Sequence, residues 1–158
     1  MTVTVRPAGT DDERLLLEWA NDPAARAAGF SPDPIPPDVH HRWLARRLAD
    51  PSVGRIWIGE EDGRPIGMVR VEPADDDVLV VSVAVAREVR GSGRSRPLLE
   101  AGLAAARTAE PDRRFRAWIR PFNGASVRLF RGAGFARPAV RPVAPEGAPP
   151  DVVVLERD

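Results

Sequence analysis

The chain contains no cysteine, which removes disulfide staples, a thiolate nucleophile and every cysteine-based zinc or redox site. It also lacks lysine and tyrosine, so all 23 cationic residues are arginine, and 23 carboxylates balance them to a formal net charge of zero. No overall field draws the chain to nucleic acid or an anionic membrane, and an anion it binds must be gripped by local geometry. Its histidines are the adjacent pair His40 and His41, which cannot form a spaced ligand pair on one helix face, so no metal is expected. No apolar run approaches membrane-spanning length. The N-terminal stretch MTVTVRPAGTDDERLLLEW lacks the basic-then-apolar layout of an export signal, and the protein is read as cytoplasmic.

At 158 residues, 43% of them hydrophobic, the chain suits one domain spanning 1–158. TVTVRPA alternates as a strand, and Thr10 or Asp11 can cap a following helix that carries Leu15, Leu16 and Trp19 on one face. DVHHRWLARRLADP reads as a second helix, with Val39, Trp43, Leu44 and Leu48 as its buried stripe. Two β-rich runs meet at Asp62 and Gly63, a pair suited to a tight hairpin. The apolar run Val78–Val85 reads as a central strand covered on both faces. A helix, a strand, a helix stopped by Gly134 and a closing strand pair around a proline-rich loop complete an α/β order of about seven strands, with helices on both sheet faces.

Between the central strand and the next helix lies RGSGRSRPLL. Helix N-termini expose backbone N–H groups, and Gly91 and Gly93 would let an anion approach them, while Arg90, Arg94 and Arg96 can add charge-assisted hydrogen bonds. A plain strand-to-helix turn with solvated arginines explains the stretch equally well on its own. The absence of Gly-Lys-Ser/Thr excludes a nucleoside-triphosphate loop, and a third dinucleotide-fingerprint glycine is missing. Some thirty residues on, NGASVRLFRGAGF places Asn123, Ser126 and Phe130 along one helix face.

These two motifs, in this order with a strand between, resemble the GNAT superfamily of acyl-CoA-dependent N-acetyltransferases. The resemblance implies a mixed, mostly antiparallel sheet and acetyl-CoA as cosubstrate. It also implies that Arg90, Gly91, Ser92, Gly93, Arg94, Ser95 and Arg96 grip the coenzyme A pyrophosphate. Main-chain contacts to the pantetheine arm would come from Val83, Ala84 and Val85, and further contacts from Asn123, Ser126 and Phe130. Ser95 stands where the superfamily's loop usually ends in Gly or Ala. A narrower likeness, carried by LLLEWANDPAARAAGF, HHRWL and GRPIGMVRVE, is to the N-acetyltransferases of nucleotide-linked amino sugars of the pseudaminic-acid type. Its pattern falls on Trp19, Asn21, Asp22, Arg26, His40 and Trp43, which implies acceptor binding by Trp19, Asn21, Asp22, Arg26 and His40; Arg70, alternating with Glu72 on one strand face, is a further acceptor-binding candidate.

Acetyl transfer to a neutral amine needs a proton acceptor, and the leaving thiolate needs a proton. Many relatives place Tyr where this chain has Phe130, so the acid falls to Ser126 or water. Trp118 stands where N-terminal acetyltransferases of ribosomal proteins carry a Glu base, which argues against that subgroup. Candidate bases are His40, Glu72 and Asp22, with His41 behind them; His40 as a partly exposed helix residue and Arg70 and Glu72 as a solvated strand face are the plainer explanations. The expected partners are acetyl-CoA and a small amine, with a homodimer as an option and neither nucleic acid nor membrane. Rival functions are acetylation of an antibiotic amine or a protein N-terminus, and an acyl-CoA-binding module with little turnover.

Overall fold

The computed structural model describes residues 2–75 and 77–158. The elements run β1 (Val3–Pro7), α1 (Glu13–Ala20), α2 (Pro23–Ala28), α3 (Pro37–Ala49), β2 (Arg55–Glu61), β3 (Arg64–Asp75), β4 (Val78–Val85), α4 (Ser95–Ala109), β5 (Arg114–Ile119), α5 (Gly124–Gly132) and β6 (Val153–Arg157). The strands form one sheet in sequence order, antiparallel except for the β4–β5 pair. Among the described residues no helix is long and apolar enough to cross a membrane.

Alternation along the strands sorts side chains to two faces. Val69 and Val71 of β3 and Leu79 and Val81 of β4 meet Leu98, Leu99 and Leu103 of α4 on one face, and Phe130 and Phe135 extend that core beside α5. On the other face Ile56 and Ile58 of β2 pack against Leu16, Trp19 and Leu44 from α1 and α3. Each fully buried leucine, such as Leu98 or Leu99, stabilises the fold by about 1.5–3 kcal/mol. Gly102 lets α4 lie close to the sheet, since a Cβ there would sit 2.6 Å from the side-chain carbons of Val69.

Several expectations change on folding. Among the described residues the sheet has six strands, against the expected seven or so: after α5 the chain makes a single bridge, Ala136 with Glu156, and Pro138 then offers no N–H to extend it. The first helix opens with a 3-10 turn, and neither Thr10 nor Asp11 caps it. Asp12 instead accepts two 2.8 Å hydrogen bonds from the Arg6 guanidinium and one of 2.8 Å from the Gly9 N–H. Arg6 hydrogen bonding, against the opposing effect of burial, holds the Asp12 carboxyl below its ordinary range. The buried stripe of α3 is rotated from the expected one: Val39 is 43% exposed and His40 only 3%. His40 and Leu44 share a face one turn apart, and that face is the one turned to α1 and the sheet. The hairpin forms as expected, with Asp62 at φ 52° and Gly63 at φ 74°.

Candidate active site

Strand β4 is the hinge of the site. It pairs with β3 as far as Val85, but with β5 only from Val78 to Val80, opposite Arg114–Arg116. Beyond that point the two strands part, and Ser82, Val83, Ala84 and Val85 become half-buried where Val78 and Leu79 are fully covered. Antiparallel pairing turns alternate residues' amides to opposite sides. Because the Ala86 N–H donates to Ile66 O, even-numbered residues of β4 bond to β3 and odd-numbered ones face the opening. Val83 and Val85 therefore present main-chain groups to the cleft. The expectation for Ala84 is corrected: its amide and carbonyl are turned to β3.

The mouth of this opening leads to the 90–96 loop. Gly91 (φ 72°) and Gly93 (φ 82°) take left-handed conformations, and a Cβ at either would meet nothing within 4 Å. Among the described residues, the N–H groups of Gly91, Gly93, Arg94, Ser95 and Arg96 have no protein acceptor, while Pro97 has no N–H to satisfy. Ser92 differs, since both its N–H and its hydroxyl are given to Val89 O inside the loop.

The loop arginines are already engaged. Arg94 makes a two-point bond to Glu61 at 3.0 and 3.1 Å, which raises the arginine's affinity for its proton and lowers that of the carboxylate. Arg90 donates to Asp22 at 3.0 Å and to Val85 O at 3.2 Å, and Arg96 pairs with Glu100 at 3.2 Å. The row of main-chain donors is what the loop leaves wholly uncommitted, while each of the three guanidinium groups already has at least one N–H in use.

At the start of α5 the Asn123 carboxamide accepts the Ser126 N–H at 3.3 Å, so the asparagine caps the helix. Ser126 is half-buried one turn in. Phe130 is 3% exposed and packs edge-on to Phe135 at 5.0 Å, a core position that corrects its assignment as a cofactor contact.

On the opposite sheet face, Arg70 and Glu72 of β3 meet His40, Trp43 and Arg47 of α3. Arg47 donates to Glu72 at 2.6 Å, and Arg70 Nε lies 3.1 Å from the same carboxylate. The Trp43 ring carries the Arg47 guanidinium at 4.4 Å and that of Arg70 at 5.5 Å, with the His40 ring 5.4 Å away. His40 Nδ1 is buried and has no hydrogen-bond partner among the described residues. Burial, with the Arg70 charge and against that of Glu13, pushes the imidazole below its ordinary pKa and keeps it neutral. His41, by contrast, is exposed and bound to Glu13 at 2.5 Å.

The remaining acceptor-side candidates serve the frame. Trp19 is buried in the core. Asn21 clamps both the N–H and the carbonyl of Ile35, at 2.7 and 2.9 Å. Arg26 donates to Ala20 O, Ser31 O and Asp33 O. Asp22 caps α2 and receives Arg90 and Arg87; although desolvation raises its pKa, the Arg90 and Ala24 bonds and the two charges outweigh it and hold the carboxyl below its usual range. A carboxylate so held is a poor proton acceptor. Arg47 and Glu61 escaped the sequence reading; Arg47 lies seven residues after His40 and four after Trp43, a spacing that marks one helix face. Arg120, which donates to Gly29 O at 2.8 Å beside the Phe30 ring, carried no such signal.

A cavity of about 420 Å³ lies elsewhere, between β6 and the Arg137–Arg141 segment. The cleft and loop are distinguished from it by their uncommitted main-chain donors. Among the described residues no group of three or more His, Cys, Asp or Glu is placed to hold a metal ion.

A splayed central strand leading into a glycine loop at a helix N-terminus is the arrangement expected from the resemblance to acyl-CoA-dependent N-acyltransferases. The chain belongs to the acetyltransferase (GNAT) domain family, whose model matches residues 2–136. It is similar to the spermidine N-acetyltransferase from Vibrio cholerae solved with CoA and spermine (19% identity, TM-score 0.82, 98% of this chain and 94% of that one). The aminoglycoside acetyltransferase AAC(6')-Ib, solved with coenzyme A, is 22% identical with a TM-score of 0.79 over 99% of this chain and 94% of its own. A ribosomal-protein-alanine N-acetyltransferase from Brucella melitensis is 25% identical, TM-score 0.78, over 97% and 98%.

Proposed function

We propose that the protein transfers the acetyl group of acetyl-CoA to a primary amine by direct attack in a ternary complex, with a nucleotide-linked amino sugar as the leading acceptor. The observation that supports this reading is two sets of uncommitted main-chain donors, Val83 and Val85 on the parted strand and Gly91, Gly93, Arg94, Ser95 and Arg96 at the head of α4. Amides at a helix N-terminus suit a diphosphate, and strand amides suit an extended pantetheine arm and the oxygen charge that develops at the acyl carbon. Acetyl-CoA supplies the activated acetyl group. His40, neutral and with Nδ1 unpartnered, is the proton acceptor for the attacking amine. Glu72, bound by Arg47 and Arg70, positions those groups rather than taking the proton. The leaving thiolate takes its proton from water, with the Ser126 hydroxyl as relay, because Phe130 has none to give. The amino-sugar preference rests on the resemblance in the first half of the chain.

The test is CoA release with acetyl-CoA and a panel of nucleotide-linked amino sugars, polyamines, aminoglycosides and protein N-termini, alongside calorimetric titration of acetyl-CoA. Transfer to the amino sugars supports the reading, and transfer only to one of the other classes refutes its acceptor. The missing tyrosine hydroxyl favours a second reading, an acyl-CoA-binding module, which tight binding without transfer to any amine would establish.

A further inference from the structure

Arg70 differs from three other arginines on its side of the sheet. Arg26 gives its N–H groups to three loop carbonyls, Arg120 to Gly29 O, and Arg47 to Trp43 O and Glu72. Arg70 forms an ion pair with Glu72, its buried Nε 3.1 Å from Oε1 but not aligned to donate, and among the described residues no protein acceptor takes its remaining N–H groups. A guanidinium has five donors in a planar fork that matches a carboxylate or phosphate. The Arg70 Cζ lies over the Trp43 ring, 5.5 Å from the centroid, within cation–π range.

Position adds to chemistry. Arg70 pairs across the sheet with Ser82, and β4 parts from β5 just after Val80, so Arg70 lies where the acceptor side of the sheet reaches the opening. Glu72 balances only one of Arg47 and Arg70, and Arg26 adds to the positive potential that Arg70 experiences. The neighbourhood is cationic and short of an anion. His40, the proton acceptor, shares the Trp43 ring with it.

We propose that the Arg70 guanidinium is a specificity anchor that binds an anionic group, a phosphate or a carboxylate, on the acceptor amine, so that the protein selects amines carrying an anion and disfavours polycations. The assignment rests on the acetyl-transfer reading of the same site and narrows its substrate class.

The test uses matched amines: glucosamine without an anion, glucosamine 6-phosphate and UDP-glucosamine with phosphate, muramic acid with a carboxylate, and spermidine as a polycation. Each is titrated calorimetrically into the full-length protein saturated with CoA, and CoA release from acetyl-CoA is measured in parallel. At least one anionic amine is expected to bind tenfold or more tighter than glucosamine or spermidine, and the three anionic arms separate phosphate, nucleotide and carboxylate as its source. Arg70→Gln should erase that difference while acetyl-CoA affinity and thermal midpoint stay unchanged, and Arg70→Lys, which keeps the charge but loses the fork, should restore part of it. Equal binding of neutral and anionic amines, no binding of any anionic amine, or discrimination that survives Arg70→Gln overturns the anchor. Anion-selective, Arg70-dependent binding without CoA release upholds the anchor and overturns acetyl transfer instead.

Discussion

Replacing Gly93 by alanine separates backbone strain from ligand recognition. At φ 82° an L-residue costs about 1–2 kcal/mol. The added methyl meets no atom within 4 Å, so strain is the whole of the folding cost. For a chain of this size that corresponds to a fall in Tm of roughly 2–8 °C. If the loop amides hold a diphosphate, the methyl also stands over the anion's approach, and misaligning one hydrogen bond to a charged group costs about 1.5–3 kcal/mol. The expected loss of acetyl-CoA affinity is therefore roughly 10- to 150-fold. Gly63 is the internal control, with φ 74° and equally open space but at the β2–β3 hairpin. Gly63→Ala should lower Tm by a similar amount and leave acetyl-CoA affinity intact. Calorimetric titration and thermal melts of both variants decide the matter. Equal acetyl-CoA affinity in Gly93→Ala and wild type would refute the loop as the binding element.

Gly102→Ala should destabilise the fold by up to about 2 kcal/mol, because overpacking against Val69 costs about 1–3 kcal/mol and exceeds alanine's helix preference of about 1 kcal/mol; a chemical-denaturation midpoint at or above wild type contradicts the close approach of α4. His40 titrates lower when folded than the 6.5 of a free imidazole, so the unfolded chain binds the extra proton first: stability should hold above that pH and fall as pH drops through it toward the folded value. In His40→Phe that decline should vanish from the pH series of melts, and an unchanged profile would show that the imidazole is not the group responsible. Asp22→Asn keeps a good helix cap but releases Arg90 and Arg87, so acetyl-CoA affinity should fall several-fold while stability changes by less than about 1 kcal/mol; unaltered affinity would mean that the α1–α2 corner does not hold the loop.

Local chemistry explains why some elements were legible. Asp62-Gly63 has the residue types a tight turn demands, and Gly91, Gly93 and Pro97 mark a loop entering a helix whatever surrounds them. Asn123, Ser126 and Phe130 follow helical spacing, although their shared face did not reveal that Phe130 is core while Asn123 is spent on the cap. Position 39 against position 40 was undecidable from apolar patterning, because a buried histidine next to an exposed valine inverts the usual preference.

The order of elements from the β2–β3 hairpin to α5, the glycine loop and the absence of thiol and tyrosine hydroxyl were set by the sequence, since each depends on residues close in the chain or on composition. Tertiary structure alone decided which charges meet. Arg90 finds Asp22 across 68 positions and Arg94 finds Glu61 across 33, so the proposed diphosphate site draws first on the loop amides. Only the folded sheet shows where β4 leaves β5 and that Arg70 arrives there beside Glu72 with its Nε not aligned to donate. Long-range pairing and strand divergence arise from packing, and neither leaves a period or a spacing in the chain to read.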